Sequence, residues 1–188
     1  MYIDYSDLGM ELKQHLDSDE KLIWTGAPKQ GIIVKGSDAL MIPFSLVWGG
    51  FALFWEFTAI NSGAPFFFLI WGIPFVLIGL YLIFGRFFYD SSLRKNTMYG
   101  ITQNRIIIKS GVFKQSIKSL NIRTLTDITL NEKPDGSGTI VLGSEMRGYG
   151  MFRGTGWPGG GNKMVPALEL IPEARKVYRQ IIDLQKEK

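Results

Sequence analysis

The sequence predicts a membrane-spanning helical hairpin set into a small antiparallel all-β domain that ends in a capping helix. Three observations carry this. Residues 39–55 and 65–85 hold no charged side chain. The chain beyond them breaks into short β-rich stretches divided by turn signals. From Pro172 onward, apolar residues recur at helical spacing.

The first segment, residues 1–18, is charged from Asp4 onward and lacks a basic leader followed by an apolar run. It reads as a short helix with Leu8, Leu12 and His15-Leu16 on one side, not as a signal peptide. Residues 19–38 contain Lys-Leu-Ile-Trp-Thr, a strand by composition that cannot persist alone. The hairpin is expected over residues 39–85. With Glu56 tolerated near its end, the first run continues to Ile60, and the second is 21 residues long. At about 1.5 Å per residue, either crosses a hydrocarbon core of about 30 Å. Asn61-Ser62-Gly63-Ala64 between them is only a tight turn. Lys21, Lys29 and Lys35 precede the hairpin, Arg86, Arg94, Lys95 and Arg105 follow it, and the turn has no basic residue. The positive-inside rule therefore puts both termini in the cytoplasm. Pro43 and Pro74 are tolerable within such spans. Ser45, Gly49, Gly72 and Gly79 predict close helix packing, with Ser45 and Gly79 at nearly one level. Glu56 is about one turn from the outer end and is expected to reach water. A transport path, as in a small transport-complex subunit, needs ionisable groups at depth, and only Glu56 is available.

Residues 86–188, with the 19–38 strand, form the β domain. Strands are expected at 97–102, 105–109, 112–120, 121–131, 139–142 and 167–170. In the fourth, Ile122, Thr124, Thr126, Ile128 and Leu130 share a face. Lys133-Pro134-Asp135-Gly136-Ser137-Gly138 is a strong turn. Such spacing indicates an antiparallel barrel or sandwich. The final helix puts Ala174, Val177, Tyr178, Ile181 and Leu184 in one stripe, which suits the open end of a small barrel.

Composition narrows the function classes. There is no cysteine and one histidine, His15. Thiolate zinc sites, disulfides and cysteine nucleophiles are excluded, and no metal or catalytic set is evident. Residues 86–188 carry 17 Lys and Arg against 9 Asp and Glu, net +8; residues 1–38 carry 4 against 7, net −3. A domain of net +8 held at the inner leaflet is drawn to anionic lipid headgroups. No motif that reads nucleic acid is present. Lys114 and Lys118 alternate with Ser116 along one strand, with Lys109 just before the turn. Arg86, Arg94 and Lys95 suit juxtamembrane anchors.

The stretch GTGWPGGGNK, residues 154–163, approaches two phosphate-loop signatures and completes neither. Asn162 occupies the P-loop lysine position, and Pro166 would interrupt the helix such a loop must open. A nucleotide-handling enzyme built on this loop is the alternative function class. The same loop interleaves Phe152 and Trp157 with Arg147, Arg153 and Lys163, a mixture suited to an anionic interface or a protein partner.

Glu20-Lys21-Leu22-Ile23-Trp24-Thr25-Gly26, followed by Pro28, resembles the opening motif of bacterial membrane proteins with a pleckstrin-homology-like (PH-like) domain. Tyr99-x-Ile101-Thr102-x-x-Arg105 resembles that domain's strand pair, and Gly138-Thr139-Ile140 and the helix after Pro172 are similar too. The resemblance covers nearly the whole chain. It implies a cytoplasmic, seven-stranded, strongly bent PH-like barrel capped by one helix, tied to the bacterial cytoplasmic membrane. It implies no catalytic activity and no cofactor, and it transfers no site residues. The expected role is a non-catalytic binding or scaffold module that contacts anionic lipids, a protein partner or a second copy of itself.

Overall fold

The computed structural model describes residues 5–36, 38–144 and 165–187, with side chains from residue 9 onward. Helix α1, Tyr5–Lys13, precedes strand β1, Leu22–Gly26. An apolar hairpin follows: α2, Asp38–Asn61, and α3, Phe66–Leu80, then a π-helical turn, Tyr81–Gly85, and α4, Arg86–Lys95. Strands β2 (Met98–Thr102), β3 (Arg105–Ser110), β4 (Ser116–Asn121), β5 (Ile128–Glu132), β6 (Gly138–Leu142) and β7 (Ala167–Ile171) lead to the closing helix α5, Ala174–Lys186. The chain forms two compact units. One holds the strands with α1 and α5; the other is the hairpin, Ile32–Ser91.

Two antiparallel sheets make up the first unit, in the orders β1-β2-β3-β4 and β5-β6-β7. Strand β1 pairs with β2 across the whole hairpin insertion, Trp24 opposite Ile101 and Gly26 opposite Tyr99. Trp24 packs on the core made by Tyr99, Ile101, Ile106, Ile108, Ile140 and Leu168. Its ring lies over Gly26, where a Cβ would stand 2.3 Å from the indole, so only glycine fits beneath it. On the other face of the first sheet, Leu12 of α1 is fully buried and sits over Gly100.

The expected closed barrel is not formed. No ladder joins β4 to β5, and the single strand expected over 121–131 is interrupted. The Asn121 side chain accepts from the Arg123 amide at 2.9 Å and turns Ile122–Thr124 into a short 3₁₀ segment. The corner carbonyls of Ile122 and Leu125 receive Gln185 Nε2 of α5, at 3.3 and 2.7 Å, instead of strand amides. At the other seam one backbone bond, Lys29 amide to Leu170 carbonyl at 2.9 Å, links the segment after β1 to β7. Ala174, Val177 and Ile181 of α5 are buried between the sheets, as the sequence stripe predicts. The helix starts at Ala174, past Pro172, with Glu173 in the left-handed region at φ 48°. In the β5–β6 turn, Asp135 accepts from the Ser137 hydroxyl and amide at 2.6 and 3.1 Å. These bonds, then Lys29, hold its carboxyl down at about 2.

The hairpin inverts the usual distribution of residues. Its helices bury Ser45, Gly49, Ala52 and Ala59 on one side and Gly72 and Gly79 on the other. Phenylalanine, tryptophan and leucine point outward: Val47 is 73% exposed and Phe66 75%. Gly79 faces Gly49, one turn from the expected Ser45; a Cβ on Gly79 would be 2.8 Å from the Gly49 Cα. Glu56, expected to reach water, is half-buried. Its carboxylate folds onto Gly72, where a Cβ would be 1.8 Å from Oε2, and Oε2 is buried without a hydrogen-bond partner among the described residues. Glycine at position 72 leaves the space that the carboxylate fills.

Truncating Trp24 removes the large apolar contact by which β1 joins the core. Trp24→Ala should destabilise the sheet unit by about 3 kcal/mol. Limited proteolysis of the full chain in detergent should then cut within residues 19–31 at least several-fold faster than in the unmodified protein.

Candidate functional site

Basic residues dominate the sites considered from sequence, and the structure divides them into paired and unpaired groups. In the hairpin unit, Arg86 is buried and its Nη1 donates to Asp38 Oδ1 at 2.7 Å. The other Asp38 oxygen accepts the Lys35 amide at 2.6 Å, and the Lys35 ammonium meets Asp90 at 3.0 Å. Asp38 thus opens helix α2 and neutralises the arginine that opens α4. Arg86 also lies 4.4 Å from the Phe87 ring, while its Nε and Nη2 have no partner among the described residues.

In the sheet unit, Lys109 is buried and its ammonium binds Glu11 of α1 at 2.5 Å. Its charge is therefore turned to the N-terminal helix and away from any surface ligand. Arg105 binds Glu20 through Nε and Nη2, at 2.8 and 2.6 Å, and reaches Asp17 at 3.2 Å. Glu20 also receives the Thr102 hydroxyl at 2.9 Å. The Arg105 bond is the main reason the Glu20 carboxyl is held below its ordinary 4.5. Arg94 is buried and donates to the Gly31 carbonyl, and its own carbonyl accepts Gln30 Nε2 at 3.2 Å. Acids of residues 1–38 thus pair with three of the basic residues counted in 86–188, Arg86, Arg105 and Lys109.

Lys95 and Lys114 are exposed. Lys118 is half-buried, opposite Ile108, on the face of β4 that also carries Leu120. Neither Lys114 nor Lys118 meets a carboxylate among the described residues. Beside Lys114, at the tip of the β3–β4 turn, Phe113 is 96% exposed. Sequence reasoning placed this residue in a strand beginning at Val112, whereas β4 begins at Ser116. Ser110-Gly111 was the available signal, since a turn opening there can extend to Gln115. Arg147, Phe152, Arg153, Trp157 and Lys163, with the whole glycine-rich stretch, lie outside the described residues.

Two grooves are lined by charged residues, and neither suggests chemistry. One, of about 700 Å³, runs along α5 beside Glu132, Arg175, Arg179 and Asp183, and there Arg175 pairs with Glu132 at 2.6 Å. A second, of about 320 Å³, is bordered by Asp17, Glu20 and Arg105, already paired with one another. Among the described residues no group of three His, Cys, Asp or Glu is placed to hold a metal ion.

Two antiparallel sheets of four and three strands, closed by a C-terminal helix, define the PH-like class. The model of the bacterial PH domain family matches residues 43–185, and the chain belongs to that family. The match begins inside α2, so α1 and β1 precede it, and β1 joins the domain through its ladder with β2. PH-like domains serve in general as non-catalytic modules that bind lipids or proteins. Among solved structures, the chain is similar to a DUF1696 family protein with a pleckstrin-homology domain from Shewanella loihica PV-4. The two are 11% identical, with 98% of this chain and 99% of the other covered, at a TM-score of 0.41. No curated protein matches the chain.

Two outcomes follow from the ion pairs. Asp38→Ala leaves Arg86 buried without its carboxylate and should destabilise the hairpin unit by about 3–5 kcal/mol, read as a lowered thermal midpoint in detergent. Asp38→Ala combined with Arg86→Met should recover part of that loss. Because the folded-state value of Glu20 is depressed below 4.5, its contribution is complete above that pH. It is lost as pH falls from there through the folded-state value. Glu20→Gln should therefore flatten the acid limb of stability below pH 4.5, and unfolding midpoints measured on either side of that pH check it.

Proposed function

We propose that the hairpin spans the bacterial cytoplasmic membrane twice, with both termini in the cytoplasm. It holds the PH-like unit at the inner leaflet as a non-catalytic module that contacts anionic lipid headgroups. The observation that carries this is the inside-out hairpin. Helix α2, of 24 residues, and the continuous helical run Phe66–Lys95, of 30, bury glycine, alanine and serine against each other and turn their large apolar side chains outward. In water such a surface would drive aggregation; in hydrocarbon it is matched to its solvent. The basic excess on both flanks of the hairpin supports the orientation.

Headgroup contact is assigned to Lys95, Lys114 and Lys118, together with the sequence candidates Arg147, Phe152, Arg153, Trp157 and Lys163. Lys109, Arg86 and Arg94 act within the fold, through the bonds described above. Each well-placed surface lysine contributes about 1 kcal/mol toward an anionic leaflet.

Reporter fusions test the topology. A fusion after Gly63 should report an external location and one at the C-terminus a cytoplasmic location, and the reverse at either position defeats the reading. Lipid analysis tests the ligand class. Anionic lipids should be enriched on the protein purified from native membranes. Replacing Lys95 and Lys114 by glutamine should cut that enrichment at least severalfold, while equal enrichment points to a protein partner instead.

A further inference from the structure

The tip of the β3–β4 turn carries a feature that headgroup binding does not use. Phe113 is 96% exposed, the largest exposure of any large apolar side chain described. It is presented by a tight turn. Gly111 adopts φ 148°, and a Cβ there would lie 2.0 Å from the Lys114 carbonyl oxygen, so the chain folds back closely on itself. Ladder register fixes which end of the sheet this is. Ser110 pairs with Ser116, Lys109 with Met98, and Tyr99 with Gly26. The chain leaves the sheet for the hairpin after Gly26 and returns to it at Met98. The turn therefore projects from the end of the sheet that carries both covalent connections to the hairpin. The β2–β3 turn, Gln103-Asn104, lies at the opposite end.

We infer that Phe113 is a wedge that dips into the cytoplasmic leaflet, with Lys114 beside it at the level of the lipid phosphates. The inference rests on the hairpin spanning the membrane, and it adds a third, non-covalent contact to the two connections. One aromatic ring next to an ammonium has the amphipathic character of an interfacial anchor. A second copy of the chain is a poorer occupant. One phenylalanine offers at most about 250 Å², well short of the roughly 800 Å² per partner of a stable interface. The wedge would hold the first sheet against the leaflet without choosing among headgroups, leaving selectivity to the lysines.

The chain has no cysteine, so single labels are clean. Phe113→Cys, Asn104→Cys and Phe57→Cys, each in the full-length protein, are modified with a nitroxide. The proteins are reconstituted in vesicles of phosphatidylcholine and phosphatidylglycerol. Collision rates with oxygen, which favours lipid, are compared with those of a water-soluble nickel complex. Oxygen should dominate at positions 57 and 113, and nickel at 104. Oxygen at 57 with nickel at 113 overturns the wedge and leaves the hairpin reading intact. Nickel at 57 overturns both. Dipolar broadening between labels at 113 means that a second copy covers the tip, and it also overturns the wedge.

Discussion

The two sheets of this domain share no ladder, so their association rests on one shared apolar core, which the stripe of α5 completes. Ala174, Val177 and Ile181 fill the space between them, and Gln185 satisfies the corner carbonyls that strand amides would take in a closed barrel. Gly138 shows how tight this joint is. A Cβ there would stand 2.9 Å from that of Ala174 and 2.7 Å from the Asn131 carbonyl oxygen. The core is completed by this helix, whereas the β3–β4 turn and the return of β1 beside β2 are set by the ladders of the first sheet. An open pair of sheets closed by one helix has more freedom at its seams than a barrel. At the seam after β1, Lys29 bonds Leu170 through its amide and Asp135 through its ammonium.

Charge is used in two distinct ways. Within the fold, acids near the N-terminus meet bases far along the chain: Glu11 with Lys109, Glu20 and Asp17 with Arg105, Asp38 with Arg86. Where both partners are buried, as in Asp38 with Arg86, the pair contributes little net stability, because desolvation offsets attraction, but losing one partner is costly. They fix where the N-terminal segment lies. Lys95 and Lys114, by contrast, are exposed.

Much of this architecture was legible in the sequence. Both apolar helices, the lone strand that needed the later sheet, the closing helix and its buried stripe follow from periodicity and turn chemistry. The break at Ile122–Thr124 was not, because the alternation over 121–131 fits a strand while the Asn121 side chain prefers to bond the Arg123 amide. Nor were the ion pairs, since Lys109 and Glu11 stand 98 positions apart and composition cannot say which acid a buried lysine will meet. Register failed similarly in the hairpin. Depth counted from the turn paired Gly79 with Ser45, but packing sets Gly79 against Gly49. Phe113 was hidden by treating an apolar residue near a strand as part of it.

The interruption of the first sheet by the hairpin has a consequence for biosynthesis. Strand β1 leaves the ribosome long before its partner β2, with residues 27–97 between them. At about 5–20 residues per second, that is a delay of about 4–14 s during which β1 has no ladder to join. In a cell that inserts the hairpin as proposed, the translocon receives both apolar helices during this wait. Sheet assembly is then scheduled after membrane integration. A chain whose hairpin stalls outside the bilayer keeps an unpaired β1 edge, a ready mark by which chaperones and proteases can recognise a failed molecule.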